Sequence, residues 1–298
     1  MDKGPYKNDI VIMGGMPRGA STWIFRNLSL HPYANMSELK ETNFFSLNFD
    51  KGFSWYYNLY NKDTGDQHIK FDISPFYFLC HDFLENIKLS GASPKIILVL
   101  REPNEWVQSF YYQTKSYNLR MSSFEQFITE HSFHFDGKKR IAKFKEFDFV
   151  GRVKDYCEQF KGNILLINFN QIQENPVAVL QEIEKFSGLP NYFNKSTIIS
   201  SQINASQANF SFLNMLSTLG IVRKVSDLIP FRQPIIRYFQ KIIYKEKFDK
   251  LAGISTQKQS ADSSKYTILA EKKEYIDSLF PPEVYKNTFF QESDFVYL

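Results

Sequence analysis

Two cysteines in 298 residues, Cys80 and Cys157, are too few for a disulfide framework, and no Cys or His spacing matches a metal motif. A bound metal is therefore not expected. No apolar run approaches the ~18 residues that cross a bilayer. The polar stretch Met1–Asp9 does not read as a secretory leader. A formal net charge of only +4 lacks the basic excess that would argue for nucleic acid or a membrane surface, although it allows a local basic pocket. The expectation is a reducing, cytoplasmic setting with no nucleic-acid or membrane partner. Oligomeric state is left open.

What is present is an ordinary globular composition, 43% hydrophobic and 23% charged, with an aromatic share of 17% that includes 30 Phe and 17 Tyr and reads as a Phe-packed core. Four short apolar, β-branched runs predict buried strands: Asp9–Met13, His68–Ile73, Lys95–Leu100 and Asn163–Phe169. Helical patterns over Ser21–Leu30, Phe76–Lys88, Pro103–Lys115, Phe144–Phe160 and Pro176–Phe186 lie among them, the last stopping at Gly188. Strands alternating with helices imply an α/β fold, a mostly parallel central sheet covered on both faces. Beyond about residue 200 no strand is predicted. Phe210–Leu219, Pro234–Tyr244 and Tyr266–Leu279 look helical. The expectation is one domain over 1–298, with a sheet core over about 8–190 and a helical C-terminal cap over about 200–298.

Ligands of open parallel sheets bind outside the carboxyl ends of the strands. Three unusual polar segments fall there: Gly14–Thr22, Asp72–Tyr77 and Arg101–Ser109. In the first, glycines allow a tight turn that aims backbone N–H groups at an anion, and the following helix N-terminus adds positive potential. Ser21 and Thr22 offer hydroxyls. Gly14-x4-Gly19 followed by Ala20-Ser21 overlays the Walker A spacing, but Ala20 stands in place of the lysine, and the basic residue is Arg18. A nucleoside-triphosphate hydrolase would lose its phosphate clamp there. In the third segment, Arg101 at a strand end and Ser109 two helical turns on can converge on one phosphate; pairing of Arg101 with Glu102 or Glu105 is the rival reading.

Gly15-Met16-Pro17-Arg18-Gly19-Ala20-Ser21-Thr22-Trp23 resembles the 5′-phosphosulfate loop of the sulfotransferase superfamily, usually Gly-x-Pro-(Lys/Arg)-Ser-Gly-Thr-Thr-Trp. Arg101, Pro103, Ser109 and Tyr111 resemble its 3′-phosphate site, with Trp106 where a second Arg often stands. The resemblance implies a P-loop-like three-layer fold and transfer of a sulfuryl group from 3′-phosphoadenylyl sulfate (PAPS) to a hydroxyl or amine of a carbohydrate or small metabolite. It assigns Pro17, Arg18, Gly19, Ala20, Ser21, Thr22, Trp23, Arg101 and Ser109 to the donor nucleotide. Lys40-Glu41-Thr42-Asn43-Phe44-Phe45 is similar to a Lys-Glu-x-His-Phe-Phe segment of glycan sulfotransferases. That likeness implies Glu41 as base and Lys40 as its assistant at the phosphosulfate, beside Arg18 as the electrostatic stabiliser of the leaving oxygen. Ser74-Pro75-Phe76-Tyr77 resembles a further element of these enzymes, with Asp72 at a usual Glu. Glu41, Phe44, Ser74, Tyr77, His131 and His134 are the expected acceptor-side residues, the two histidines being rival bases. Readings outside this family are a P-loop nucleotide kinase or NTPase, and a nucleotide-binding protein without catalysis.

Overall fold

The computed structural model describes residues 10–61, 65, 67–117, 123–130, 132–135, 139–143, 147–199, 277, 289–290 and 295–297. The chain divides into two compact units, Met1–Ile203 with Lys272–Leu298, and Asn204–Glu271. The second unit lies outside the described residues, as do the helices predicted over 210–219 and 234–244 and nearly all of that over 266–279.

Six strands form one sheet in the order β2-β3-β1-β4-β7-β8: β1 Ile10–Gly15, β2 Ala34–Met36, β3 Ile69–Ile73, β4 Lys95–Leu100, β7 Ile164–Asn168 and β8 Phe295–Tyr297. The first five are mutually parallel, and β8 runs antiparallel to β7. A separate antiparallel pair joins β5 Ser132–Phe135 to β6 Lys139–Lys143. The α/β, mostly parallel architecture expected from the alternating pattern is therefore present. The expectation that strands end near residue 200 is overturned by β8, a three-residue edge strand too short for a period-two signal.

Both faces of the sheet are buried, which is why its strands read as continuous apolar runs. On one face Val11, Met13, Phe71, Ile73, Ile97, Val99, Leu165 and Ile167 pack with Trp23, Ile24 and Leu28 of α1 (Ser21–Leu28) and Val179, Leu180 and Ile183 of α8 (Pro176–Ser187). Burying each such aliphatic side chain is worth about 1.5–3 kcal/mol. The opposite face carries aromatic rings: Phe83 of α3 (His81–Ser90) stacks on Tyr156 of α6 (Phe149–Gln159) at 5.4 Å. Phe78 meets Trp106 of α4 (Pro103–Tyr117) edge-on. Short helices α2 (Gly52–Tyr57), α5 (Phe124–Glu130) and α7 (Phe169–Glu174) complete the described α-helices.

The helix predicted over Phe76–Lys88 is instead a 3-10 turn, Pro75–Leu79, and then α3, separated by extended Cys80. The cause lies far along the chain. The buried Arg152 guanidinium takes the Phe78 carbonyl at 3.1 Å and the Cys80 carbonyl at 2.6 Å, oxygens that a continuous helix would bond internally. Likewise the helix expected from Phe144 begins at Phe149, where Asp148 caps it through Gly151 N.

Candidate functional site

The turn after β1 is fixed from three sides. Met16 N donates to Val99 O of β4 at 3.1 Å, and Gly19 N donates to Met16 O at 2.9 Å. The Trp106 indole donates to Pro17 O at 2.9 Å. A Cβ on Gly19 would lie 2.9 Å from Met16 O and 3.1 Å from Val99 O, so only glycine fits. Arg18 and Ala20 both adopt left-handed backbone, φ 67° and 58°. Ala20 thus takes the conformation that the family's usual glycine would favour, at a cost of about 1–2 kcal/mol. The turn delivers the chain into α1, whose first amides have no side-chain cap and no acidic neighbour in the first turn. Among the described residues these N–H groups have no partner, and with the dipole they suit an anion.

Trp106 stands at the position where the resembling family often has Arg, and local sequence alone gives it no role. A buried indole needs an acceptor, and that requirement was the available signal.

The two expected anion sites meet. Arg18 Nε donates to Ser109 Oγ of α4 at 3.0 Å, which ties the first loop to the second segment across 91 residues. Arg101 leaves the end of β4 and bonds Glu105 Oε2 through Nε at 3.2 Å. Its guanidinium carbon lies 4.5 Å from the Phe169 ring centroid. The rival pairing is therefore real for Glu105. Because only Nε is engaged, the two terminal nitrogens of Arg101 carry no partner among the described residues and remain a planar donor fork.

A third segment arrives from the loop after β2. Lys40 Nζ lies 3.5 Å from Ser21 Oγ and 3.8 Å from Glu41 Oε1. Their side chains are 13% and 22% exposed. Burial lowers the Lys40 ammonium from its usual range, and Glu41 partly opposes this. Burial raises the Glu41 carboxyl; Lys40 pulls it back, and the charge of Asp72 pushes it up again. Burial outweighs the ion pair for both groups. Such shifted carboxyls are suited to proton transfer.

Several predicted residues turn out to be interior. Phe44, Ser74 and Tyr77 are fully buried, which corrects their expected place at the acceptor: they support the Lys40–Glu41 segment from behind. Phe44 stacks on Tyr56 at 4.2 Å, and the Ser74 and Tyr77 hydroxyls donate to Asp72. Trp23 is also a core residue, its indole donating to Ile199 O at 2.9 Å. Ser21 is nearly buried beside Lys40, while Thr22 is exposed at the start of α1. His134 lies on β5 opposite Arg140; its side chain and all of His131 fall outside the described residues.

Asp72 was noted from sequence only as a substitute for a usual Glu. In the structure it accepts four hydroxyls, from Thr42, Tyr56, Tyr77 and Ser74, with no exposure to solvent.

A family model described as Sulfotransferase domain matches residues 7–218. Among curated relatives, heparan sulfate glucosamine 3-O-sulfotransferase 3A1 of Homo sapiens is 25% identical over 212 residues, 66% of this chain and 50% of the relative. The bifunctional heparan sulfate N-deacetylase/N-sulfotransferase 4 of Mus musculus is 25% identical over 198 residues, 61% of this chain and 22% of the relative. The chain spans about half the length of the first of these relatives. Among solved structures, a sulfotransferase from Alicyclobacillus acidocaldarius superposes with a TM-score of 0.52 at 17% identity, covering 64% of this chain and 85% of that one. That likeness confirms the fold.

Proposed function

The chain belongs to the sulfotransferase domain family, and on that premise we propose that it transfers a sulfuryl group from PAPS to a hydroxyl or amine of a carbohydrate or small metabolite. The observation that carries this reading is the convergence of three segments. Arg18 touches Ser109, and Lys40 joins Ser21 to Glu41, so two cationic sites and one carboxyl share one sheet edge.

The residues fit a nucleotide phosphorylated at both 3′ and 5′ positions. The uncapped start of α1, with Arg18, Ser21 and Thr22, forms the 5′ cradle, and the Arg101 fork with Ser109 forms the 3′ site. When bound, PAPS supplies the activated sulfuryl group. Arg18, always charged, stabilises negative charge growing on the leaving phosphate oxygen and cannot donate a proton there. Glu41, raised toward neutrality by burial, takes the acceptor's proton. Lys40 places positive charge between the cradle and that base. Ala20, where a Walker loop has its lysine, disfavours a triphosphate kinase or hydrolase. The relatives named for heparan sulfate favour a saccharide acceptor.

The test is transfer from labelled PAPS to a panel of sugars, alcohols and amines, with calorimetry for adenosine 3′,5′-bisphosphate. Arg18→Ala should lower turnover by ~10²–10³ while much of the bisphosphate affinity survives. Undiminished transfer by this variant would remove Arg18 from the mechanism.

A further inference from the structure

We propose that Asp72 is a positioning residue: through three hydroxyls that it orients, it clamps the backbone that carries Glu41. The inference rests on the functional reading above only for its effect on turnover.

The geometry is a two-step relay. Three successive amides just beyond Glu41 each donate to a different hydroxyl: Asn43 N to Ser74 Oγ, Phe44 N to Thr42 Oγ1 and Phe45 N to Tyr77 OH, all at 3.2 Å. Each of those hydroxyls then reaches Asp72. Ser74 Oγ lies 2.6 Å from Oδ1, while Thr42 Oγ1 and Tyr77 OH lie 2.8 and 2.9 Å from Oδ2.

A hydroxyl has one proton. If it gives that proton to a carboxylate, its lone pairs remain for an amide. An acceptor-only group at the centre therefore turns all three hydroxyls the same way and makes three amide bonds possible together. Burial raises the Asp72 carboxyl, and the four hydroxyls oppose that rise. Burial and the Asp72 charge hold the Tyr77 phenol well above its usual range, so it remains a donor. The segment being fixed contains Asn43 in left-handed backbone, φ 45°, a conformation that a free chain would leave.

Tyr56 supplies an internal control. It also donates to Asp72 Oδ2, at 2.8 Å, yet receives none of the three amides. Among the described residues, the charged groups facing Glu41 are Lys40 and Asp72.

Asp72→Asn keeps the size but puts an amide donor where only acceptors fit, so at least one hydroxyl must turn its proton elsewhere, which misaligns its bond to the backbone amide. Thr42→Val removes one relay hydroxyl, and Thr42→Ser restores it. The first measurement is hydrogen exchange of the amides of residues 43–45, with Tyr56→Phe as comparator. Asp72→Asn and Thr42→Val should exchange these amides faster, while Thr42→Ser and Tyr56→Phe should stay near wild type. The second measurement separates binding from turnover. Bisphosphate affinity should hold, while turnover falls ~10–100-fold, by analogy with the loss when hydrogen-bond partners behind metal ligands are removed. If Asp72→Asn does not fold, the Thr42→Val and Thr42→Ser pair decides alone. Unchanged exchange in Thr42→Val, or equal acceleration in Tyr56→Phe, overturns the clamp. A wild-type protein that transfers no sulfuryl group would defeat the functional reading instead, and the exchange result would still stand.

Discussion

Glu41 sits between two opposed demands, since little water reaches its carboxyl and an ammonium lies 3.8 Å away. Burial wins, and the carboxyl is raised. The sign of the pH effect follows directly. A general base must be ionised, and a raised carboxyl gains its proton at a higher pH than an ordinary one. The rate with saturating donor should therefore fall on the acid side beginning above the usual carboxylate range, and Glu41→Gln should remove both the rate and that limb. A Gln variant that retains the wild-type acid limb would assign the limb to another group. Arg18 and Arg101 could be placed at this edge because their spacing after two predicted strands is set by the chain itself, whereas Lys40 and Glu41 came only from the resemblance of Lys40–Phe45 to a glycan-sulfotransferase segment. Asp72 and Trp106 were not legible, because their partners (Thr42, Tyr56 and Tyr77; Pro17) lie 5 to 89 residues away and periodicity carries no such pairing.

At the level of elements, the junction of β4 and α4 is the part most open to test. Glu105 holds one edge of Arg101 and Phe169 covers one face, which leaves the terminal nitrogens aimed as a fork. Glu105 is 46% exposed, so solvent screens the pair and its effect is modest. Arg101→Ala should weaken 3′-phosphorylated adenosine nucleotides far more than unphosphorylated ones. Glu105→Ala should reduce the same preference by only about 2- to 5-fold, the span of exposed ion pairs. Tighter binding by Glu105→Ala in a competition titration would recast Glu105 as a rival of the phosphate. Why Lys40 and Glu41 reach this edge was hidden in the sequence. They follow β2, a three-residue strand parallel to β3, too short to register as alternation, yet its direction delivers the next loop beside the ends of β1 and β3. The longer strands were legible because burial on both faces forces unbroken apolar runs. The broken helix after Ser74 was not, because Arg152 breaks it from 72 residues away.

Across the whole molecule, the parallel arrangement makes one edge electrostatically distinct. β1, β3 and β4 all end there, each strand releasing a polar segment, although the chain's net charge is only +4. A ligand that spans two such segments should couple them and stabilise the folded state by mass action. Adenosine 3′,5′-bisphosphate at 100 times its dissociation constant contributes about 2.7 kcal/mol. For a chain of this size that corresponds to a rise in Tm on the order of 5 °C. Adenosine 5′-monophosphate at the same concentration lacks the 3′-phosphate proposed to meet Arg101, so its rise should be smaller. ATP with magnesium should give little, because Ala20 offers no ammonium to bridge its outer phosphates. Differential scanning fluorimetry with the three ligands ranks them in one experiment. A larger shift with ATP and magnesium than with the bisphosphate would mean that the edge recognises a triphosphate, and the pairing of Arg18 with Arg101 as 5′ and 3′ sites would have to be abandoned.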